Sequence, residues 1–163
     1  MKSIILFRHG KSNWYANYSK DINRPLNERG IKSAKLMGKY LAKINQIPEK
    51  TICSTALRAK RTAELAMRGG NWKSSIEFNK KIYDGSAELL FSIIQRQSSK
   101  LNMICLLGHE PCISSFITKS TNSNITKFPT ASMARIDFKT NLWDHIVFTK
   151  GSLNWLKRPK EIA

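Results

Sequence analysis

The chain has 163 residues, 41% hydrophobic and 24% charged, the composition of an ordinary globular protein of about one domain rather than a disordered or fibrous sequence. Its 28 lysines and arginines against 11 acids give a net charge of +17, which favours polyanionic partners. The cations are spread along the chain without an arginine-rich tract or nucleic-acid motif, the pattern of a solvated basic surface, with an acidic protein or a nucleic acid as the partners such a charge would admit. No apolar run approaches the roughly 20 residues of a membrane span, and the patch after Met1 is too short for a signal peptide; the expected location is cytoplasmic, without a membrane partner.

Ile4–Phe7 is a short apolar run followed by Gly10, the pattern of a buried strand. It delivers Arg8 and His9 to the strand's carboxyl end, where open α/β sheets form ligand crevices. A polar loop over 13–23 follows, with Trp14, Tyr15 and Tyr18, whose rings either line a pocket or anchor the loop. Pro25 and a capping Asn27 open an amphipathic helix of about 15 residues, apolar at Ile31, Ala34, Met37 and Leu41 and basic at Lys32, Lys35, Lys39 and Lys43. Thr51–Cys53 reads as a short strand. Ser54 and Thr55 are expected to cap the next helix, which is expected to end before Gly69 and Gly70. Arg58 falls in that helix's first turn, where a cation is locally unfavourable and unsatisfied N–H groups attract an anion; a residue placed against local preference points to function.

Ser75–Phe78 is a weaker strand. Ser86 caps a helix running to Gln97, with Asp84 and Glu88 framing its start. Leu101–Leu107 is the strongest buried strand, and it stops at Gly108-His109-Glu110-Pro111, so that His109 occupies the same kind of position as His9. Pro111 is placed to open a helix through Ile117. Residues 134–138 and 143–148 read as a hairpin, with His145 on the surface, and Leu156–Lys160 reads as a frayed basic tail. Cys53 and Cys105 read as small buried hydrophobes. Cys112, at a helix start, is open to a lowered thiol pKa. Three cysteines without paired spacing speak against a disulfide framework or a zinc site.

Strands alternating with helices imply an α/β fold, a three-layer α/β/α sandwich with a central, mostly parallel sheet, in a single domain over residues 1–163. Strand ends then bring together Arg8, His9, Arg58 and His109. Two guanidiniums match phosphate oxygens in a bidentate way, and an imidazole serves as a nucleophile near neutral pH when one ring nitrogen is held.

Arg8-His9-Gly10, the stretch Asp21-x-x-Arg24-Pro25-Leu26-Asn27-x-x-Gly30, Ser54-Thr55-x-x-Arg58-Ala59-x-x-Thr62 and Gly108-His109 occur in this order. Together they resemble the histidine phosphatase superfamily, also called phosphoglycerate-mutase-like, and the small size resembles its short bacterial phosphohistidine phosphatase branch. The resemblance implies a two-step phosphoryl transfer in which His9 becomes phosphohistidine, Arg8, Arg58 and His109 hold the phosphoryl oxygens, and no metal or cofactor is required. The family supplies an acid from the region before the third helix, for which Asp84 is the first candidate and Glu88 the second. The longer insertion and glutamate-rich pattern of the mutase members are absent, which favours a phosphoramidate over an alkyl phosphate. The expected function is hydrolysis of phosphohistidine on a protein partner, with the positive charge recruiting an acidic protein surface. The alternatives are a phosphomonoesterase acting on a small or nucleotide-like phosphorylated substrate, and a non-catalytic basic module that binds polyanions.

Overall fold

The computed structural model describes residues 1–125 and 127–162. In chain order the elements are β1 (Lys2–Arg8), α1 (Glu28–Lys43), β2 (Lys50–Cys53), α2 (Leu57–Gly70), β3 (Ser75–Phe78), α3 (Ala87–Gln95), β4 (Met103–Gly108), α4 (Cys112–Thr121), β5 (Met133–Phe138) and β6 (Ser152–Lys157). They build one six-stranded sheet of order β3-β2-β4-β1-β5-β6. The strands from β1 to β4 run parallel, and β5 pairs antiparallel with both β1 and β6.

The sandwich follows from side-chain alternation along the central strands. Ile4 and Leu6 of β1 and Ile104 and Leu106 of β4 face a core built on Leu90 and Ile94 of α3 and Ile113, Phe116 and Ile117 of α4. Their sequence neighbours Ile5, Phe7, Cys105 and Leu107 face the opposite core, with Met37 and Leu41 of α1 and Ala59, Ala63 and Ala66 of α2. Both faces of these strands are covered, which is why they read as unbroken apolar runs rather than alternating ones. Burial of each large aliphatic side chain contributes about 1.5–3 kcal/mol. The helix after β1 covers one face and the helix after β4 covers the other, so a crevice opens at the carboxyl ends of this adjacent pair.

Asn27 caps α1 as expected, its side chain accepting from the Gly30 N–H, and Ser86 caps α3 through the Leu89 N–H. Other local expectations are overturned. Helix α2 does not stop before Gly69 but runs through Gly70 to Asn71, which takes the left-handed conformation (φ 52°). The glycines serve packing instead: a Cβ on Gly70 would lie 2.2 Å from the Gly38 carbonyl oxygen, and one on Gly38 would lie 2.0 Å from that of Ala66, so α1 and α2 touch backbone to backbone. Ser54 and Thr55 do not cap α2; Ala56 is the N-cap residue and makes no side-chain bond, while Ser54 turns towards the crevice.

Residues 143–148 are not the strand that pairs with β5. Trp143–His145 is a turn of 3-10 helix whose Trp143 is buried, with its indole N–H donating to the Leu101 carbonyl at 2.8 Å. Antiparallel pairing falls to β6, whose exposure alternates from Ser152 to Trp155 and then stops alternating. The stretch read as a frayed tail is therefore ordered: Leu156 and Lys157 belong to β6, and the Glu161 carboxylate accepts from the Arg158 backbone N–H at 2.8 Å. Among the described residues no helix is long and apolar enough to cross a membrane.

The α1–α2 contact yields a stability prediction. Alanine favours a helix interior over glycine by about 1 kcal/mol, but at Gly38 the added methyl meets rigid backbone, and overpacking of that kind costs typically about 1–3 kcal/mol, occasionally more. Gly38→Ala is expected to lose about 2 kcal/mol net, lowering Tm by roughly 5 °C; an unchanged or raised Tm in differential scanning calorimetry would contradict the close approach.

Candidate active site

Strand register sets the geometry of the crevice. Arg8 of β1 lies opposite Gly108 of β4, so the next residues, His9 and His109, emerge side by side with ring centroids 5.1 Å apart. The His9 backbone N–H donates to the Gly108 carbonyl at 3.1 Å. The loop after β1 is tied to α2: the Gly10 N–H donates to Thr62 Oγ1 at 3.0 Å, and that hydroxyl donates to the Arg58 carbonyl at 2.7 Å. Arg8, His9, Arg58 and His109 all line one cleft of about 400 Å³, as their strand-end positions suggest.

Hydrogen bonding defines the state of each imidazole. Nδ1 of His9 lies 2.7 Å from the Gly10 carbonyl oxygen, which only accepts; Nδ1 therefore carries the proton, and Nε2 of the neutral ring carries the lone pair. Burial lowers the His9 pKa to about 3, with the neighbouring His109, Arg58 and Arg8 adding to the effect. The ring is neutral at pH 7. In His109, Nε2 lies 2.7 Å from Ser54 Oγ, which itself accepts from the Ala56 N–H at 3.2 Å. When Ser54 donates its proton to Nε2, the His109 proton sits on Nδ1, a buried atom with no partner among the described residues. Burial, then Arg58, lowers the His109 pKa to about 4.

Three guanidiniums share the cleft. The third is Arg24, which belongs to one of the sequence motifs but not to the predicted site residues; it is 5% exposed, as is Arg58. Asp21, also outside the predicted set, holds the two together. Its Oδ1 pairs with Arg24 at 3.2 Å, while Oδ2 accepts from Arg58 Nη2 at 3.0 Å and from the Tyr83 hydroxyl at 2.6 Å. The Tyr83 hydrogen bond and the two arginines hold the Asp21 carboxyl below the usual carboxylate range. Arg8 is held separately, with Nη1 donating to the Phe128 carbonyl at 3.0 Å. Even so, Nε of Arg8, Arg24 and Arg58, Nη1 of Arg24 and Nδ1 of His109 are buried without a partner among the described residues. Leaving buried donors unsatisfied costs roughly 1–3 kcal/mol each, more when charged, so five of them around one cleft mark a place built to receive oxyanion acceptors.

The two acid candidates part company. Asp84 lines the cleft as an exposed rim residue. Glu88 does not line it; its carboxylate pairs with Lys119 of α4. A third carboxylate, Glu110, lines the cleft but is held by the Ser114 N–H at 2.8 Å and hydroxyl at 2.7 Å, which caps the first turn of α4. Of the loop aromatics, Trp14 lines the cleft and stacks on the Arg24 guanidinium, 3.4 Å from its ring centroid, and Tyr15 is fully exposed. Cys53 and Cys105 are buried hydrophobes, with burial pushing the Cys53 thiol up to about 12 and that of Cys105 higher. At Cys112 burial, then Glu110, raises the pKa, against the expectation of a lowered one, and the thiol is engaged with the Gly85 carbonyl. His145 is exposed beside Asp144.

Comparison with known proteins places this geometry. The sequence pattern of the histidine phosphatase superfamily (branch 1) matches residues 4–87. Uncharacterized protein ML1117 of Mycobacterium leprae is 26% identical over 158 residues, covering 90% of this chain and 95% of that one. Among solved structures, a protein histidine phosphatase SixA complexed with tungstate superposes with a TM-score of 0.84 at 20% identity, over 99% of both chains. A SixA structure from Agrobacterium tumefaciens superposes with a TM-score of 0.83 at 24% identity, over 97% of this chain and 98% of that one.

Keeping two imidazoles neutral leaves a mark on stability. An unfolded histidine titrates near 6.5, whereas His9 and His109 titrate near about 3 and about 4 in the cleft, so the unfolded chain binds protons first as the solution is acidified. Their contribution is full above about pH 6.5, is lost as pH falls below it, and levels off near the native values. Urea unfolding at pH 7 and pH 4.5 is expected to show a larger loss for the wild type than for His9→Ala/His109→Ala; equal losses would contradict buried neutral rings.

Proposed function

The chain belongs to the histidine phosphatase superfamily and is a phosphatase, and on that premise we propose that His9 is its nucleophile and that its substrate is phosphohistidine carried by a protein. The observation that carries the reading is the set of five unpartnered buried donors around a neutral imidazole whose lone pair is on Nε2. In the first step Nε2 of His9 attacks phosphorus, an Nε2–P bond forms, and the P–N bond to the substrate ring breaks with its electron pair passing to the leaving nitrogen. The Nδ1–H···O bond to Gly10 steadies the positive charge that builds on the ring. Arg8, Arg24, Arg58 and the Nδ1–H of His109 bind the three equatorial oxygens, where charge accumulates. Water then attacks phosphorus, the Nε2–P bond breaks and inorganic phosphate leaves. The scheme uses no metal or cofactor.

The leaving group bears on the substrate. A general acid has to be held within hydrogen-bond reach of the departing atom. Asp84 stands on the rim, where among the described residues no hydrogen bond or ion pair holds its side chain, and Glu110 is committed to Ser114. An imidazole whose second nitrogen is protonated leaves as a neutral ring and needs little help, unlike an alkoxide. The cleft is open and bordered by exposed residues, which suits a side chain presented by a folded protein. One observation favours a second reading: the exposed face of Trp14 beside Arg24 could stack a flat group such as a nucleotide base.

Phosphate release from a phosphohistidine-bearing protein and from an aryl phosphate, measured side by side, tests the assignment. His9→Ala is expected to lower both rates by about 10³-fold or more, and residual turnover near the wild-type rate would remove His9 as nucleophile. Asp84→Asn is expected to change phosphohistidine turnover by less than about threefold; a loss of about 10²-fold or more would make Asp84 a required proton donor and count against a leaving group that needs little help.

A further inference from the structure

Cations that lie scattered in the sequence converge outside the cleft. Beside the first turns of α1 is a second groove of about 680 Å³, walled by Arg29 and Lys32 of α1 and by Lys127, Arg158 and Lys160, with Glu28 as the one acid among its lining residues. Arg29, Lys32, Lys127 and Lys160 are exposed, and among the described residues none of these four has an ion-pair partner. Arg158 is held by Glu161 at 3.5 Å. Leu36, Pro129 and Pro159 supply apolar surface between the charges.

The groove borders the cleft. Thr130 lines both. The strip over 127–130 that separates them is clamped from each side: Arg8 Nη1 donates to the Phe128 carbonyl at 3.0 Å, and Arg158 Nη2 donates to the Lys127 carbonyl at 3.1 Å. A ligand that crosses Thr130 would thus meet phosphate-binding arginines on one side and a row of unpaired cations on the other. Five cations against one acid favour carboxylates spaced along a chain and repel a basic surface. No aromatic ring is among the lining residues, so the stacking platform on which single-stranded nucleic acid depends is missing.

We propose that this groove docks an acidic segment of the phosphoprotein whose phosphorylated side chain enters the cleft. Recognition then has two parts, a phosphoryl group held by Arg8, Arg24 and Arg58 and a carboxylate-rich stretch held beside α1. The inference rests on the phosphoprotein reading for its partner and on the groove's own charge for its location.

The test uses the full chain, a fluorescein-labelled oligo-glutamate peptide followed by anisotropy, and the charge reversal Lys32→Glu/Lys160→Glu. Wild type and His9→Ala are expected to bind the peptide alike, with affinity falling as salt is raised, and the charge reversal to weaken binding by about tenfold or more. The same reversal is expected to lower kcat/KM for a phosphohistidine protein relative to that for an aryl phosphate, with its Tm reporting an intact fold. Equal binding by wild type and the charge-reversed variant, or binding by neither, overturns the groove. A single-stranded RNA oligomer that binds more tightly than the peptide and loses affinity in the same variant overturns the acidic protein partner in favour of nucleic acid. Peptide binding that is lost in the variant, together with no phosphohistidine turnover by the wild type, overturns the phosphohistidine reading and not the groove.

Discussion

The whole site depends on two parallel strands ending level. With Arg8 opposite Gly108, the chain must leave β1 and β4 at the same height, and the residue after each end is a histidine. Backbone pairing, rather than any contact between the rings, brings His9 and His109 within 5.1 Å of each other. Because both strands are buried on both faces, a slip in their register would turn apolar side chains out of two cores at once. The precision of the site is inherited from the stability of the sheet.

Gathering three guanidiniums into one small cleft works against folding, since like charges repel and burial disfavours each of them. The structure offsets part of this with a single carboxylate. Asp21 reaches Arg24, Arg58 and Tyr83 at once, while Arg8 rests on the Phe128 carbonyl. What stays uncompensated is the row of unpartnered donors that an incoming oxyanion would satisfy. Local destabilisation and anion affinity are here two aspects of one arrangement, as expected where function overrides stability.

Much of this was legible in the sequence because the informative residues stand where regular structure stops. The apolar runs before His9 and His109 declare buried strands, and Arg58 stands out as a cation in a first helical turn. The residues that were missed carry weaker local signals. Asp21 and Arg24 belong to a polar loop whose role exists only once α2 brings Arg58 against it, a contact spanning 37 residues. Gly69 and Gly70 look like a helix stop because sequence cannot reveal that another helix passes at backbone distance. Strand β6 escapes a strand reading, and its last two residues read as part of a tail, because the alternation of Ser152-Leu153-Asn154-Trp155 is only four residues long and breaks at Leu156. The Trp143 segment, with Ile146, Val147 and Phe148, has the aromatic and β-branched composition of a strand, yet burial of one large ring folds it into a turn.

Thr62 has a consequence of its own. Its buried hydroxyl accepts from the Gly10 N–H and donates to the Arg58 carbonyl, so a single oxygen rivets the loop that carries His9 to the helix that carries Arg58. Thermal motion of one is then shared by the other. The spacing between the His9 ring and the Arg58 guanidinium, the quantity to which the proposed phosphoryl transfer would be most sensitive, is thereby tied to one oxygen. In mechanical terms the pocket is a stiff jaw rather than a hinged one, and a partner protein would have to bring its own adaptability to meet it.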